Sequence, residues 1–382
     1  MSLADYQLFL CDPQSGVRYD ILDDWSTIQY TLQTNIATGM TASIGFDGTN
    51  ARIAAIRPDT RIEIWRRTAG GAWKLEGDTA FLVRRPRYTY SRSGGELQVL
   101  DCLSADFLIS GRDVAYNAES SQAKKSGAAD DALKALVRDN LGSSAIAARD
   151  LSAYLAVAAD VGLGPSLTAM DVGWHKLDSA FSDIVKNASE QGTNLYWQIV
   201  ALPTAANGHT FEFRTYTGYR GVDRSDPGTI GNPVRFGPQY GNVDNVDLEW
   251  DYTQEATVCY ALGTGQGANL VTASYEDTVR SARSPFGRRE VTRNARTSTD
   301  TLADVAKAGC NAGRPVRRVR ADLIDTDGTS YGRDWQWGDV VVGTFRGETD
   351  TYRVEAVSVS VDKKKETVTA RLDSTAQIVG GS

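Results

Sequence analysis

Chemistry in this sequence has few places to start. Of its 382 residues only two are histidines, His175 and His209, and four are cysteines, Cys11, Cys102, Cys259 and Cys310. A catalytic dyad needs a nucleophile and an orienting acid folded against the histidine. His175 sits beside Trp174 at the approach to a predicted helix, and His209 follows Asn207-Gly208 in a predicted turn, with no such partner near either. Both read as structural or surface residues. The cysteines lie far apart with no CxxC pair, so they read as free, buried thiols of a reducing compartment. A zinc cluster lacks ligands, and neither metal nor cofactor is expected.

Gly263-Thr264-Gly265-Gln266-Gly267 invites a nucleotide reading but lacks the Lys-Ser/Thr ending of a phosphate loop. The residues after it, 268–275, read as strand rather than as a helix whose N-terminus would hold phosphate. A β-turn fits better. Asp23-Asp24 and Asp130-Asp131 could be offered as glycosidase carboxylates. That reaction needs two carboxylates set across a sugar cleft, which sequence neighbours rarely supply. Asp130-Asp131 fits the first turn of a helix, where acids favour the dipole.

The strongest positive feature is the run Arg314, Arg317, Arg318, Arg320, with Arg288, Arg289 and Arg293 shortly before it. It reads as a solvated strand edge, as a contact to acidic subunits, or as a contact to DNA in a channel. Trp335 and Trp337 join these arginines as candidate interface residues. A net charge of -7 argues against a nucleic-acid binder overall, since phosphate contacts need a basic surface.

The elements that must position these residues are mostly strands. The length asks for two or three domains, each with a core of its own. Runs at 6–10, 26–32, 40–46, 61–66, 79–87 and 96–102 alternate in twos, with turn formers such as Asp47-Gly48 and Gly70-Gly71 between them. Ile62 and Ile64 face one way; Arg61, Glu63 and Trp65 face the other. This pattern suggests a small barrel or sandwich.

The middle changes period. Helices are predicted over 128–140, stopping at Gly142, and over 176–191, with Gly192 as the cap. Strands follow at 194–200 and 210–216. After a loop-rich passage near 223–241, strands resume at 243–252, 256–263 and 271–274, and a helix over 300–312 is capped by Thr299 or Asp300. Four more strands are predicted at 316–325, 339–345, 350–359 and 366–372, the last two joined by a charged turn at Asp362 to Lys365. The division expected is β over 1–115, α/β over 116–234, β with one short helix over 235–376, and a mobile tail at 377–382. The opening MSLADYQLFL is no signal peptide, and no apolar stretch approaches the ~20 residues that span a bilayer. No membrane insertion is expected.

The C-terminal third carries a resemblance. The strand 259–263, the glycine turn after it, Arg288-Arg289-Glu290, the short helix and the segment Tyr331-Gly332-Arg333-Asp334-Trp335-Gln336-Trp337-Gly338-Asp339-Val340-Val341 stand in an order that resembles siphovirus ReqiPepy6 Gp37-like tail proteins. More widely the chain is similar to baseplate hub proteins of long-tailed phages. The resemblance implies a mainly β fold, with two small β-barrel domains flanking the α/β domain. It implies a homotrimeric ring at the virion tail tip, matching a hexameric tail tube or distal tail protein by pseudo-sixfold symmetry. A spike, tip or fibre protein would attach below, DNA would pass through the lumen, and no enzymatic activity is implied. Contacts in such a ring must close under rotation, and Lys363 to Lys365 would guard a strand edge. The chain stops soon after its last strand, without the peptidase extension some hub proteins carry, which points to a separate spike protein. Two other readings stand beside this one: a receptor- or carbohydrate-binding tail module using Trp65, Trp73, Trp335 and Trp337, and a cell-wall hydrolase.

Overall fold

The structure, a computed structural model, describes residues 4–48, 51–54, 56–92, 95–206, 209–226, 233–295 and 301–375. The first part forms β1 (Asp5–Cys11), β2 (Arg18–Leu22), β3 (Thr27–Gln33), β4 (Thr41–Asp47), β5 (Arg61–Arg67), β6 (Lys74–Leu75), β7 (Phe81–Ser91) and β8 (Gly95–Ser104). The middle adds β9 (Lys124–Ala128), β10 (Leu155–Val157), β11 (Ser166–Asp171), β12 (Leu195–Ala206) and β13 (His209–Thr217). The last part holds β14 (Arg235–Phe236), β15 (Val243–Asp251), β16 (Val258–Leu262), β17 (Thr272–Glu276) and β18 (Glu290–Asn294). It closes with β19 (Val316–Leu323), β20 (Val340–Phe345), β21 (Glu348–Asp362) and β22 (Glu366–Ser374).

The expected pair of small barrels is not found, because among the described residues no sheet closes on itself. Strand β21 is the reason. Its outer half pairs β22 on one edge and β3 on the other, from Ala356 opposite Gln33 to Asp362 opposite Thr27. The edges that two separate barrels would need for closure are thereby joined to each other. One 14-stranded sheet results, running β15-β19-β22-β21-β3-β4-β8-β7-β5-β1-β2, with β20, β14 and β6 paired at its sides. Its main core takes apolar residues from both ends of the chain, including Ile28, Ile44, Leu100, Val357 and Leu372.

The segment 331–341 plugs this core. Trp335 is fully buried between Phe236 and Tyr331, and its indole N–H donates to the Thr329 carbonyl. Gly338 adopts a φ of 87°, and its neighbour Asp339 is buried. Asp339 accepts from the Val222 and Gln336 amides and from Arg224 Nε. Only a glycine fits at 221 as well, because a Cβ there would lie 2.3 Å from Asp339 Oδ1.

In the middle part, helices Ala129–Leu141 and Leu177–Glu190 share a second core with β10, β12 and β13. Gly142 caps the first helix as expected; the second is capped by Gln191, with Gly192 one residue beyond at φ 81°. Asp130 and Asp131 lie in the first turn, where they accept the Gly164 and Val161 amides and bind Lys134. Small sheet β17-β16-β18 packs on helix Leu302–Ala312. The expected caps Thr299 and Asp300 lie outside the described residues; Thr301 Oγ1 caps this helix, accepting from the Asp304 amide. The tail 377–382 also lies outside them. The stretch 268–275 is a short 3-10 turn followed by β17 rather than continuous strand.

Candidate functional site

Alternation in the long sheet sorts its side chains into two faces. Register partners share a face, so pairings can be followed from strand to strand. Glu249 stands opposite Arg318, and Arg318 opposite Asp373. Thr369 stands opposite Ser358, Ser358 opposite Thr31, Thr31 opposite Thr41. Ser43 stands opposite Asp101, and Asp101 opposite Arg85. One face of eight consecutive strands, from β15 to β7, is therefore polar, while the other carries the core.

Charge is ordered along this face. At β15 it shows Asp244, Asp247, Glu249 and Asp251; β19 and β22 follow with arginines and aspartates. The centre is hydroxyl and carboxamide: Gln29, Thr31, Ser43, Ser358, Ser360 and Thr369. Hydroxyls of Thr31 and Ser358 lie 3.0 Å apart, and Thr369 Oγ1 donates to Asp322. At β7 the face ends in Arg85 and Arg87, both bonded to Asp101, which also accepts from Ser43 Oγ. A groove of about 630 Å³ runs across the centre.

Three carboxylates on this face, Asp101, Asp322 and Asp251, are held below the ordinary range, whereas burial raises Asp373. Burial alone would raise Asp101, but donors from Arg87, Arg85 and Ser43 outweigh it and bring its carboxyl below the ordinary range. Thr369 and Asn245 do the same for Asp322, and Thr253 and Arg318 for Asp251. The wall is therefore a mosaic of charge and hydroxyl, interrupted at the groove by the half-buried Leu103 of β8, which stands opposite Thr41.

The arginines singled out in the sequence do not form one rim. Arg318 and Arg320 lie on the polar face, Arg318 bound to Asp251. Arg317 points the other way, stacked on Tyr352 and paired with Glu348 and Asp350. Arg314 reaches Asp277 and Asn311. Arg288 and Arg289 are exposed beside the small sheet, Arg288 on Glu276, Glu290 and Tyr260. Trp335 and Trp337 are buried in the main core. All four cysteines are buried, Cys11 with its thiol pushed up to about 12 by that burial. Among the described residues no group of three or more His, Cys, Asp or Glu side chains could hold a metal, and no helix is long and apolar enough to cross a membrane.

The hydroxyl centre was missed by motif reading. Its signal is alternation, as in Thr27-Ile28-Gln29-Tyr30-Thr31-Leu32 and Val357-Ser358-Val359-Ser360-Val361. Alternation marks a one-sided sheet but not which strands share it.

A family model described as Siphovirus ReqiPepy6 Gp37-like protein matches residues 22–372. The fold is similar to that of the tail protein from Neisseria meningitidis MC58, at TM-score 0.59 and 13% identity over 96% of each chain. It is similar to the 43 kDa tail protein of prophage MuSo2 from Shewanella oneidensis, at TM-score 0.55 and 10% identity, covering 96% of this chain and 97% of that one. Prophage tail protein gp18 from Listeria monocytogenes EGD-e gives TM-score 0.53 and 11% identity, over 98% and 95%. At these identities the likeness is one of fold. No curated protein sequence matches the chain.

Proposed function

Because the chain belongs to the Siphovirus ReqiPepy6 Gp37-like protein family, a phage tail and baseplate-hub-like family, we propose that it is the structural hub subunit of the tail tip. In this reading three copies form a ring that joins the tail tube or distal tail protein to a spike, tip or fibre protein. Segments 1–115 and 235–376 of each copy build the wall, 116–234 sits against it, and DNA passes through the lumen.

The observation that carries the reading is the polar face of eight strands backed by a dry core. A lumen for a hydrated polyanion has to be wet, smooth and without strong net attraction. Small hydroxyls and paired charges meet all three needs. A channel lined by unpaired arginines would hold DNA through counterion release; here Arg85, Arg87 and Arg318 are each bound to an aspartate.

The test is a phage carrying Thr31→Trp and Ser360→Trp, which leave the core face untouched but fill the groove. Such particles are expected to assemble and adsorb yet release their DNA at least about tenfold more slowly than wild type, a barrier near 1.4 kcal/mol. Release at the wild-type rate from assembled particles would remove the face from the DNA path.

A further inference from the structure

The polar face ends in two free strand edges of opposite charge. One belongs to β7. Its outer edge is covered by β5 only at Phe81 and Leu82, with backbone bonds from the 59–60 turn at Val83. From Arg84 to Ser91 no strand among the described residues lies on that edge, and all eight residues are exposed. This arm is strongly basic: residues 84–92 contain four arginines and no acid. Tyr88 and Tyr90 project from it 56% and 65% exposed. Arginine and tyrosine are the residue types enriched at interface centres. Pro86 removes one donor at the base of the arm and leaves Arg87 to Tyr90 able to pair with an added strand.

The other edge is β15, which ends the sheet path and, among the described residues, pairs only β19. It lies in a stretch, 236–279, with seven acids and no Lys, Arg or His. Asp247 and Glu249 stand opposite Arg320 and Arg318 in register yet remain exposed, while Arg318 is engaged by Asp251. At the basic end Asp101 is shared between Arg85 and Arg87, so the arm keeps a positive surplus. An unguarded edge is a hazard unless a partner covers it. At the far end of the main path β2 is blunted: it is five residues long and Arg52 donates to the Ile21 carbonyl.

We propose that β15 of one copy adds to the β7 edge of the next, acidic edge on basic edge, so that copies join head to tail. This rests on the ring reading above and names the surfaces that would close it. The two edges differ, so the contact is heterologous, the kind that generates rings instead of stopping at pairs. Strand addition supplies backbone hydrogen bonds, and the side chains fix the partner. Arg85 and Arg87 lie on the same face of the sheet as Asp247 and Glu249, so the polar wall would continue unbroken from copy to copy.

The test uses the full chain and its mass in solution by light scattering. Arg85→Glu with Arg87→Glu, or Asp247→Arg with Glu249→Arg, is expected to weaken assembly at least about tenfold, and the four changes in one chain to restore it. Raised salt should weaken the wild-type contact. Because charge reversal next to Asp101 or Arg318 could impair folding, a second measurement uses cysteines: Thr89→Cys with Glu249→Cys should oxidise to linked oligomers, while either alone stays unlinked. If wild type assembles but both charge variants assemble equally well and no cysteine pair along the arm links, the edges are wrong and the ring reading stands. If wild type never associates, alone or with its tail neighbour, ring and edges fall together.

Discussion

Asp339 gathers three donors: the nearby Gln336 amide, and the Val222 amide and Arg224 Nε from one distant stretch of chain. That is the physical content of the Gly338-Asp339 motif, which sequence reading took only as a turn before a strand. The turn was legible because a glycine at positive φ is a local signal. Val222 and Arg224 were not, since they lie more than a hundred positions away. A second buried acid makes a sharper forecast. Asp106 accepts from Ser104 Oγ and from the Ile199 amide, joining β8 to β12, and burial lifts its carboxyl to about 6 despite those donors. A folded-state value above the unfolded one means the folded chain binds the extra proton. The stabilising contribution is full below about pH 4 and is lost as pH rises through about 6. Asp106→Asn keeps an acceptor for Ile199 and cannot ionise. Relative to wild type it should gain up to about 3 kcal/mol in unfolding free energy between pH 4 and pH 7.5, measured by urea denaturation. A difference that stays flat with pH would show that Asp106 does not titrate in this range.

Among the elements, β21 decides the architecture. Strands at 350–359 and 366–372 were readable from alternation, as was the Asp362 turn, whose carboxylate accepts the Lys364 and Lys365 amides. That β21 would pair with β3, over three hundred positions earlier, was not readable. Alternation specifies a face and leaves the neighbour open, and the inherited expectation of two closed barrels filled that gap wrongly. The strand β2 and the short β14 and β18 also went unread, being too brief for a periodic signal. The join between the two ends of the chain is reinforced from below. Arg66 on β5 is buried, donating from Nε to Tyr6 and Glu366 and from Nη1 to the Tyr331 carbonyl. Glu366 belongs to β22, so this one side chain ties the first part of the sheet to the last. Arg66→Leu leaves a largely buried carboxylate unpaired and should cost about 3–5 kcal/mol. Arg67→Leu removes the exposed pair with Asp5 and the stacking on Trp73, both at the surface, and should cost about 1 kcal/mol. Equal, small losses for both in urea melts would show that the seam does not depend on Arg66.

At the scale of the whole molecule, a one-sided sheet of this breadth needs its polar face wet and its edges managed. A free monomer would leave the basic β7 arm and the acidic β15 strand open at either end of that face. A closed ring satisfies both conditions, placing the hydroxyl wall around a lumen and each charged edge against its opposite. It also explains why motif reading found no working active site: the organised surface is a wall of small polar groups, and the conspicuous tryptophans are packing beneath it. The most direct measurement is the mass of the full chain in solution by light scattering, alone and mixed with the distal tail protein of the same particle. The hub reading expects a trimer, or a complex of three copies with six of the partner. A strict monomer in both samples, at every concentration tried, would contradict it.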